Sequence, residues 1–292
     1  MPKKKNKKPL SEYSSWELIG YRFKENKLAM LGVFMLAVII LVTLLAPLFI
    51  PYEKVIEQNV RQKLQGPSPE HVFGTDELGR DMLARVLYGG RISLLCGIAI
   101  IAIAFIFGAI IGGIAGFIGG KVDTVLMRIV DALMAVPPAL LAMAIITALG
   151  NGVFNLVIAL AIAQIPRFAR TVRSSVLTLR NMEYVEAAKC YGSSSMRIIV
   201  KHILPNGIGP IVVAATLTLG AVILSISSMG YLGLGVASPT PEWGTIISEN
   251  KINIRYYPYL GLIPGLCIMF SVMAVNFIGD GLRDAFDPKS KN

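Results

Sequence analysis

A polar segment in an otherwise apolar chain carries the most distinctive residues, EYVEAAKCYGSSSMRIIVKHILPN at positions 183–206. Glu186 is followed there by two small residues, Ala187 and Ala188. Small side chains let a partner approach closely, and the carboxylate beside them can accept a charge-assisted hydrogen bond from an Arg or Lys of that partner. The same spacing is equally compatible with an amphipathic helix that lies on lipid headgroups. The residues alone leave both interpretations open.

Two short helices are predicted within this segment, over 182–191 and 194–203. Gly192 is suited to the left-handed conformation that ends a helix, and Pro205 is expected to end the second helix. The expected N-cap residues are Asn181 and Ser193.

No motif for nucleotide hydrolysis accompanies the segment. The stretch closest to the P-loop pattern G-x-x-x-x-G-K-[ST] is AGFIGGKV at 115–122. Ala115 replaces its first glycine, and Val122 replaces the hydroxyl residue that would bind Mg²⁺. We therefore predict that the chain contains no catalytic residue and does not hydrolyse ATP.

Metal, redox and nucleic-acid chemistry are not expected either. The chain has two histidines and three cysteines, none of them at metal-ligand spacing. We interpret the cysteines as small apolar packing residues. The lysine-rich run KKKNKK at 3–8 is expected to mark membrane topology or to contact anionic lipid rather than nucleic acid.

The composition indicates a membrane protein. Hydrophobic residues make up 54% of the 292 residues and charged residues only 16%, against about 25% in soluble domains. A bilayer core requires about 20 apolar helical residues. Pro137 and Pro138 should bend one of the candidate spans. We predict six spans, at 28–50, 92–117, 132–149, 153–165, 208–229 and 261–279.

The distribution of charge predicts the orientation of these spans. With six spans, both termini and the loops 118–131 and 166–207 share one side, which carries 20 basic and 10 acidic residues. The opposite side, loops 51–91 and 230–260, has no net charge. The positive-inside rule therefore places both termini in the cytoplasm.

Four glycines in the second span, at positions 108, 112, 116 and 120, are spaced four residues apart. This spacing predicts a smooth stripe against which another helix packs, with a pore-lining stripe as the alternative. No charged residue lies well inside any predicted span, which argues against a proton-coupled carrier. Uncharged polar residues are candidates to line a translocation path: Asn155, Gln164, Ser225, Ser227 and Ser228.

The outer segment 51–91 is predicted to contain an amphipathic helix at the membrane surface. Thr75 or Asp76 could cap this helix. Its apolar face would carry Leu78, Met82, Val86 and Leu87.

The polar segment resembles the "EAA" loop of binding-protein-dependent ABC importer permeases. That pattern has Glu-Ala-Ala, three residues, Gly, nine residues and then Ile-x-Leu-Pro. The chain has Glu-Ala-Ala at 186–188, Gly192 and His-Ile-Leu-Pro at 202–205. His202 departs from the general pattern and is similar to the peptide-permease branch.

Further stretches resemble the C-type permeases of dipeptide and oligopeptide importers. They are NKLAMLG at 26–32, FGTDELGRDMLARVLYGGRISL at 73–94, PEWGTII at 241–247 and GDGLRDAFDP at 279–288. The resemblance covers nearly the whole chain.

The resemblance implies an all-α membrane protein with six transmembrane helices, the type I ABC importer permease fold, in a bacterial inner membrane. The regions are a basic segment (1–27), a first span (28–50), an outer segment (51–91), a permease core (92–279) containing the cytoplasmic loop 166–207, and a tail (280–292).

Implied partners are a homologous second permease, two ATPase subunits that bind ATP and Mg²⁺, an extracytoplasmic solute-binding protein, a short peptide substrate and membrane lipid. A cytoplasmic coupling helix is implied to contact the ATPases through Glu186, Ala187, Ala188, Gly192, Leu204 and Pro205. The binding protein is expected to dock near Asp76, Arg80, Asp81 and Trp243, although the outer segment could instead be a plug that covers the spans.

Other functions remain compatible with the sequence. Permeases for nickel chelates or glutathione are closely similar. A carrier or channel that acts alone and a membrane scaffold are alternatives from other classes.

Overall fold

The computed structural model describes residues 14–287, and all regular elements in this range are helical. The main helices are α1 (Ser15–Glu25), α2 (Lys27–Phe49), α3 (Met82–Ile118), α4 (Gly120–Met134), α5 (Pro138–Leu149), α6 (Val153–Leu179), α7 (Glu183–Cys190), α8 (Ile208–Tyr231), α9 (Trp243–Asn250) and α10 (Tyr259–Phe286). Short helical turns also occur at Glu53–Ile56, Val60–Gln62, Ser195–Ile198, Ile199–Ile203 and Leu204–Asn206.

Five of the helices within 14–287 are long and apolar enough to cross a membrane: α2, α3, α6, α8 and α10. The remaining predicted span, 132–149, is not a single straight helix. It is divided between the end of α4 and α5, a pair bent by 84° that makes a sixth span if counted as one. Most of α4 lies in the segment 118–131, which was predicted to be a loop. The bend lies at the predicted prolines. Pro137 has an extended backbone (ψ 132°) and Pro138 begins α5, because a residue that precedes proline is driven out of the helical region.

The glycine stripe of α3 packs against α6, and these two helices form the most extensive helix pair. A Cβ atom added at Gly108 or Gly116 would lie 2.5 to 2.9 Å from side chains of α6, and one added at Gly112 would overlap the carbonyl oxygen of Ala169. The packing interpretation is thus confirmed for three of the four glycines. It is wrong for Gly120, which has open space around it and begins α4 with φ +57°.

α6 is much longer than the predicted span 153–165, since it continues to Leu179. Pro166 lies inside the helix without ending it. Beyond this proline the helix is tied to α4 by ion pairs. These are Arg170 Nη2 to Asp131 Oδ1 at 2.6 Å and Arg173 Nη2 to Asp123 Oδ2 at 2.5 Å. The first third of the predicted loop 166–207 is therefore an extension of a span.

α3 also begins earlier than predicted, at Met82, and its cap differs from the prediction. The carboxylate of Asp81 accepts a hydrogen bond from the Ala84 amide at 2.8 Å. Asp76 is instead engaged by the Leu78 and Arg80 amides, each at 2.9 Å. The predicted surface helix is thus wrong. Leu78 precedes α3, and Met82 and Val86 belong to its first turns and are buried.

Candidate functional site

The first helix of the polar segment, α7, ends as predicted at Gly192, which has φ +74°. The Gly192 amide donates to the carbonyl of Lys189 at 2.9 Å, and the Ser193 amide donates to that of Ala188 at 3.1 Å. These two bonds form the Schellman arrangement that closes a helix. The N-cap is Met182, without a side-chain bond, and not the predicted Asn181.

α7 has two distinct faces. Val185 and Ala188 are buried and pack with Val172 and Val176 of α6. Glu186 and Ala187 are exposed. Ala188 therefore packs against the helical bundle, and the expectation that it contacts a partner is wrong in this structure, because successive residues of a helix point in different directions.

The second half of the segment is not one regular helix. Ser194, one residue after the predicted cap, accepts from the Arg197 amide at 3.4 Å. The turn Ser195–Ile198 is followed by a π-helical turn, Ile199–Ile203, closed by a bond from the Leu204 amide to the Ile199 carbonyl.

Pro205 does not end the helical path, contrary to the prediction, since the last turn runs over Leu204–Asn206. Proline removes an amide donor, and the preceding turn is wider than an α-helical one. The side-chain amide of Asn206 donates to the carbonyl of His202 at 2.7 Å. Pro205 is exposed, and Leu204 is half-buried against the cluster under α7.

On the opposite side of the bundle, a buried ion cluster joins three parts of the chain. Arg80 Nε donates to Asp76 Oδ2 at 2.6 Å, and Arg80 Nη2 donates to Glu249 Oε2 at 2.8 Å. Arg85 Nη2 reaches the same glutamate oxygen at 2.6 Å. The side chains of Asp76, Arg80 and Arg85 are at most 2% exposed. The segment before α3, α3 itself and α9 are therefore held together.

Glu242, in the stretch PEWGTII, caps α9 from inside the protein. It accepts hydrogen bonds from the Thr245 amide at 2.9 Å, from Ser93 Oγ of α3 at 3.0 Å and from Ser227 Oγ of α8 at 3.3 Å. The next residue, Trp243, is 1% exposed and donates through Nε1 to the Val86 carbonyl at 2.9 Å. α9 is thus inserted between α3 and α8.

The sequence does contain an indication that the carboxylates of Asp76, Glu242 and Glu249 have partners. The two outer loops carry equal numbers of acidic and basic residues, which is the balance expected where charges are paired. The sequence could not indicate which charges pair or that they are buried.

Comparison with known protein families decides the class of the chain. Residues 108–292 match the family of binding-protein-dependent transport system inner membrane components. The chain belongs to this family. In addition, residues 14–67 match the N-terminal transmembrane domain of oligopeptide transport permease C.

Similar proteins place this permease near peptide importers. It is 45% identical to the dipeptide transport system permease protein DppC of Alkalihalophilus pseudofirmus, over 96% of this chain and 91% of that protein. It is 41% identical to the oligopeptide transport system permease protein OppC of Bacillus subtilis, over 94% and 90%. It is 40% identical to the glutathione transport system permease protein GsiD of Escherichia coli O157:H7, over 97% and 94%. The predicted resemblance to C-type peptide permeases is confirmed.

The fold of the permease is that of type I ABC importer permeases. A chain of the MetNI methionine ABC transporter in an inward-facing conformation superposes with a TM-score of 0.56 at 20% identity. The match covers 70% of this permease and 98% of that chain.

Three of the four residues expected near a docking binding protein are not at the surface of the permease. Asp76 and Arg80 belong to the buried ion cluster, and Trp243 is buried beside it. Asp81 is partly exposed, and its second carboxylate oxygen lies 2.8 Å from Nδ1 of His71. The three buried side chains therefore stabilise this end of the bundle and do not themselves present a contact.

The residues predicted to line a path occupy different environments. Ser228 is exposed, and Ser225 and Gln164 are half-buried. Ser227 is buried and bound to Glu242, so the expectation that it lines a path is wrong in this structure. Asn155 donates to the carbonyls of Leu149 and Gly150, each at 3.0 Å, and so closes the turn between α5 and α6.

Proposed function

We propose that this permease forms half of the translocation pathway of an ATP-driven importer for short peptides. The other half is a homologous second permease. Two ATPase subunits bind ATP and Mg²⁺ on the cytoplasmic side, and an extracytoplasmic solute-binding protein delivers the substrate. Both termini lie in the cytoplasm, as the charge distribution of the loops supports.

The single observation that carries the coupling role is the two-faced packing of α7. Its buried face, Val185 and Ala188, is fixed on α6, while Glu186 and Ala187 are exposed beside it. A partner that binds the exposed face therefore pulls on a helix that is packed against the extension of a span, α6. The carboxylate of Glu186 supplies a charge-assisted contact, and closure of the ATPases would move the spans as rigid bodies.

Three further residues of the segment have supporting roles in this proposal. Gly192 fixes the turn after α7. Pro205 is exposed close to the ATPase side, and half-buried Leu204 anchors the last turn to the bundle.

Peptide is the substrate class favoured by the relatives, which are named for dipeptide, oligopeptide and glutathione transport. Glutathione is itself a short peptide, so one class of substrate accounts for all three names. The partly exposed polar residues Ser225, Ser228 and Gln164 are the candidates to line the path. They are uncharged, which suits a path that accepts peptides with varied side chains.

The experiment that tests the proposal is uptake by the reconstituted complex. The permease is co-expressed with its second permease and ATPases, inserted into proteoliposomes and supplied with binding protein and a labelled dipeptide. We expect uptake only with ATP, and Glu186→Ala should lower uptake strongly while membrane abundance stays normal. Wild-type uptake by this variant contradicts the anchor role.

A second comparison separates the importer from a carrier that acts alone. Proteoliposomes that contain both permeases without ATPases should show no uptake under an ion gradient. Transport under these conditions would replace the proposal with an ion-coupled mechanism. Competition of labelled dipeptide by unlabelled glutathione then measures which of the two peptides is preferred.

A further inference from the structure

A groove of about 850 Å³ opens beside the polar segment, at the same end of the bundle as Pro205 and Asn206. Its walls come from α1, α8 and the end of α10, and Arg167 of α6 reaches into it. The walls are well defined, because the rings of Trp16 and Phe286 meet edge to face with centroids 6.3 Å apart, and Arg22 Nη1 donates to the Asp287 carbonyl at 3.1 Å.

One end of the groove is polar, with the guanidiniums of Arg167 and Arg283 and the single carboxylate of Asp287 in its lining, so this end carries more positive than negative charge. The rest of the groove is apolar. Arg167 and Arg283 are both exposed, and neither has an ion-pair partner within residues 14–287. The floor is formed by Val213, Ala214 and Leu217 of α8, which follow the helix away from the polar segment into the span. The groove therefore suits a molecule with an anionic head and an apolar tail.

The position of the groove indicates that such a molecule comes from the lipid bilayer. Trp16 is 62% exposed at the rim, and tryptophan is enriched at the level of lipid headgroups. The side of the membrane to which the charge distribution assigns this end carries the basic excess of the chain, and anionic lipids are concentrated in the cytoplasmic leaflet. An apolar helix of a protein partner would cover the floor without supplying an anion for Arg167 and Arg283, whereas an anionic lipid supplies both parts in one molecule.

We propose that the groove between α1, α8 and α10 is a binding site for one anionic phospholipid of the inner leaflet. The phosphate lies between Arg167 and Arg283, and part of an acyl chain lies along Val213 and Leu217. This site adjoins the last turn of the polar segment, so bound lipid stabilises the cytoplasmic ends of three spans. The inference is independent of the transported substrate.

Fluorescence quenching tests the site, because Trp16 lies at its rim. The full-length permease is reconstituted into phosphatidylcholine vesicles that contain either brominated phosphatidylglycerol or brominated phosphatidylcholine at the same mole fraction. The signal of a Trp16→Phe variant is subtracted to remove the contribution of Trp243. We expect Trp16 to be quenched more strongly by the brominated phosphatidylglycerol.

Matched arginine variants assign the preference to the groove. Arg167→Gln and Arg283→Gln should each lower the preference for phosphatidylglycerol roughly fivefold, the effect of one guanidinium near an anionic headgroup. Both side chains are exposed, so these changes preserve packing. Arg255→Gln, at another exposed arginine on the opposite side, should leave the preference unchanged.

Equal quenching by the two brominated lipids would overturn the proposal. So would a preference that survives in the double variant Arg167→Gln, Arg283→Gln. Native mass spectrometry of the assembled transporter provides the second measurement. The wild-type complex should retain more phosphatidylglycerol than the complex with the double variant, and equal retention would contradict the proposal.

Discussion

The guanidinium of Arg85 donates to Glu249 Oε2 at 2.6 Å, although the two residues are 164 positions apart in the chain. Arg80 binds the same oxygen at 2.8 Å. The Arg85 side chain has no exposed surface, and that of Glu249 is 18% exposed. One carboxylate oxygen therefore connects the start of α3 to the inserted helix α9.

Removal of this carboxylate should destabilise the permease. In Glu249→Ala, two buried guanidiniums would be left to share Asp76, and breaking a buried pair costs about 3 kcal/mol or more. Thermal unfolding of the purified chain in detergent should show a clear decrease in midpoint. Glu57→Ala, at an exposed carboxylate before the cluster, is the control and should have no measurable effect. Equal midpoints for the two variants would show that the cluster contributes little.

Because α3 and α6 approach each other closely, the stability of the permease should be sensitive to any atom added between them. In Gly112→Ala the new methyl group would overlap the backbone carbonyl of Ala169, which cannot move independently of α6. We expect a loss of about 1–3 kcal/mol in the free energy of unfolding. Gly265→Ala is the matched control, because a Cβ atom there meets nothing within 4 Å in the interior of α10. The control should be neutral or slightly stabilising, and similar losses in both variants would contradict the packing argument.

Larger side chains at the two alanines of α7 should have different effects, one on uptake and the other on membrane abundance. Ala187→Leu adds atoms to an exposed face, so membrane abundance should stay normal while uptake decreases. Ala188→Leu adds atoms to the buried face that packs on α6, so abundance itself should fall. Immunoblots of membranes, read beside peptide uptake, measure both effects. Normal abundance of Ala188→Leu would mean that this face is not packed as described.

Substitutions at Gly192 test the importance of the left-handed backbone conformation without introducing a steric clash. Its Cβ position is open, but φ is +74°, and the left-handed conformation costs an ordinary residue about 1–2 kcal/mol. Gly192→Ala should therefore reduce uptake at normal abundance, whereas Gly192→Asn should reduce it less, since Asn tolerates this conformation better. Identical uptake rates for glycine and alanine would show that the turn does not aim the exposed face of α7.

Neighbouring serines of α8 distinguish a structural role from a role in the path. Ser227→Ala removes a buried hydrogen bond to Glu242 and should cost about 1 kcal/mol in stability. Ser228→Ala leaves the core intact, because this side chain is exposed and bonds only its own helix, at the Leu224 carbonyl. We expect the relative uptake rates of different peptides to change in Ser228→Ala alone. If Ser227→Ala has wild-type stability and an altered preference among peptides, Ser227 lines the path and has no structural role.

Several elements followed directly from the sequence, because their causes are local. The apolar spans are set by length and composition, the bend between α4 and α5 by two prolines, and the end of α7 by Gly192. The spacing of three glycines in α3 was also sufficient to predict that another helix packs closely against them, since residues four apart share one face of a helix.

Other predictions failed where a side chain has a different partner from the one that its residue type suggests. Asp76 is a suitable cap residue by type, yet Arg80 and the amides of its own turn engage its carboxylate, and Asp81 caps α3 instead. Ser227 and Ser228 cannot be distinguished by composition, and only the insertion of Glu242 buries one of them.

The sequence by itself thus determined the apolar part of each span, the break at Pro137 and Pro138 and the motif of the polar segment, because these depend on residues close together in the chain. Only the tertiary structure decided which side of α7 is exposed, which charges are buried and which residues are exposed at the end of the bundle opposite α7. Such features depend on contacts between different elements, from Val185 with Val172, 13 positions apart, to Arg85 with Glu249, 164 positions apart. No local pattern specifies which of several residues will meet.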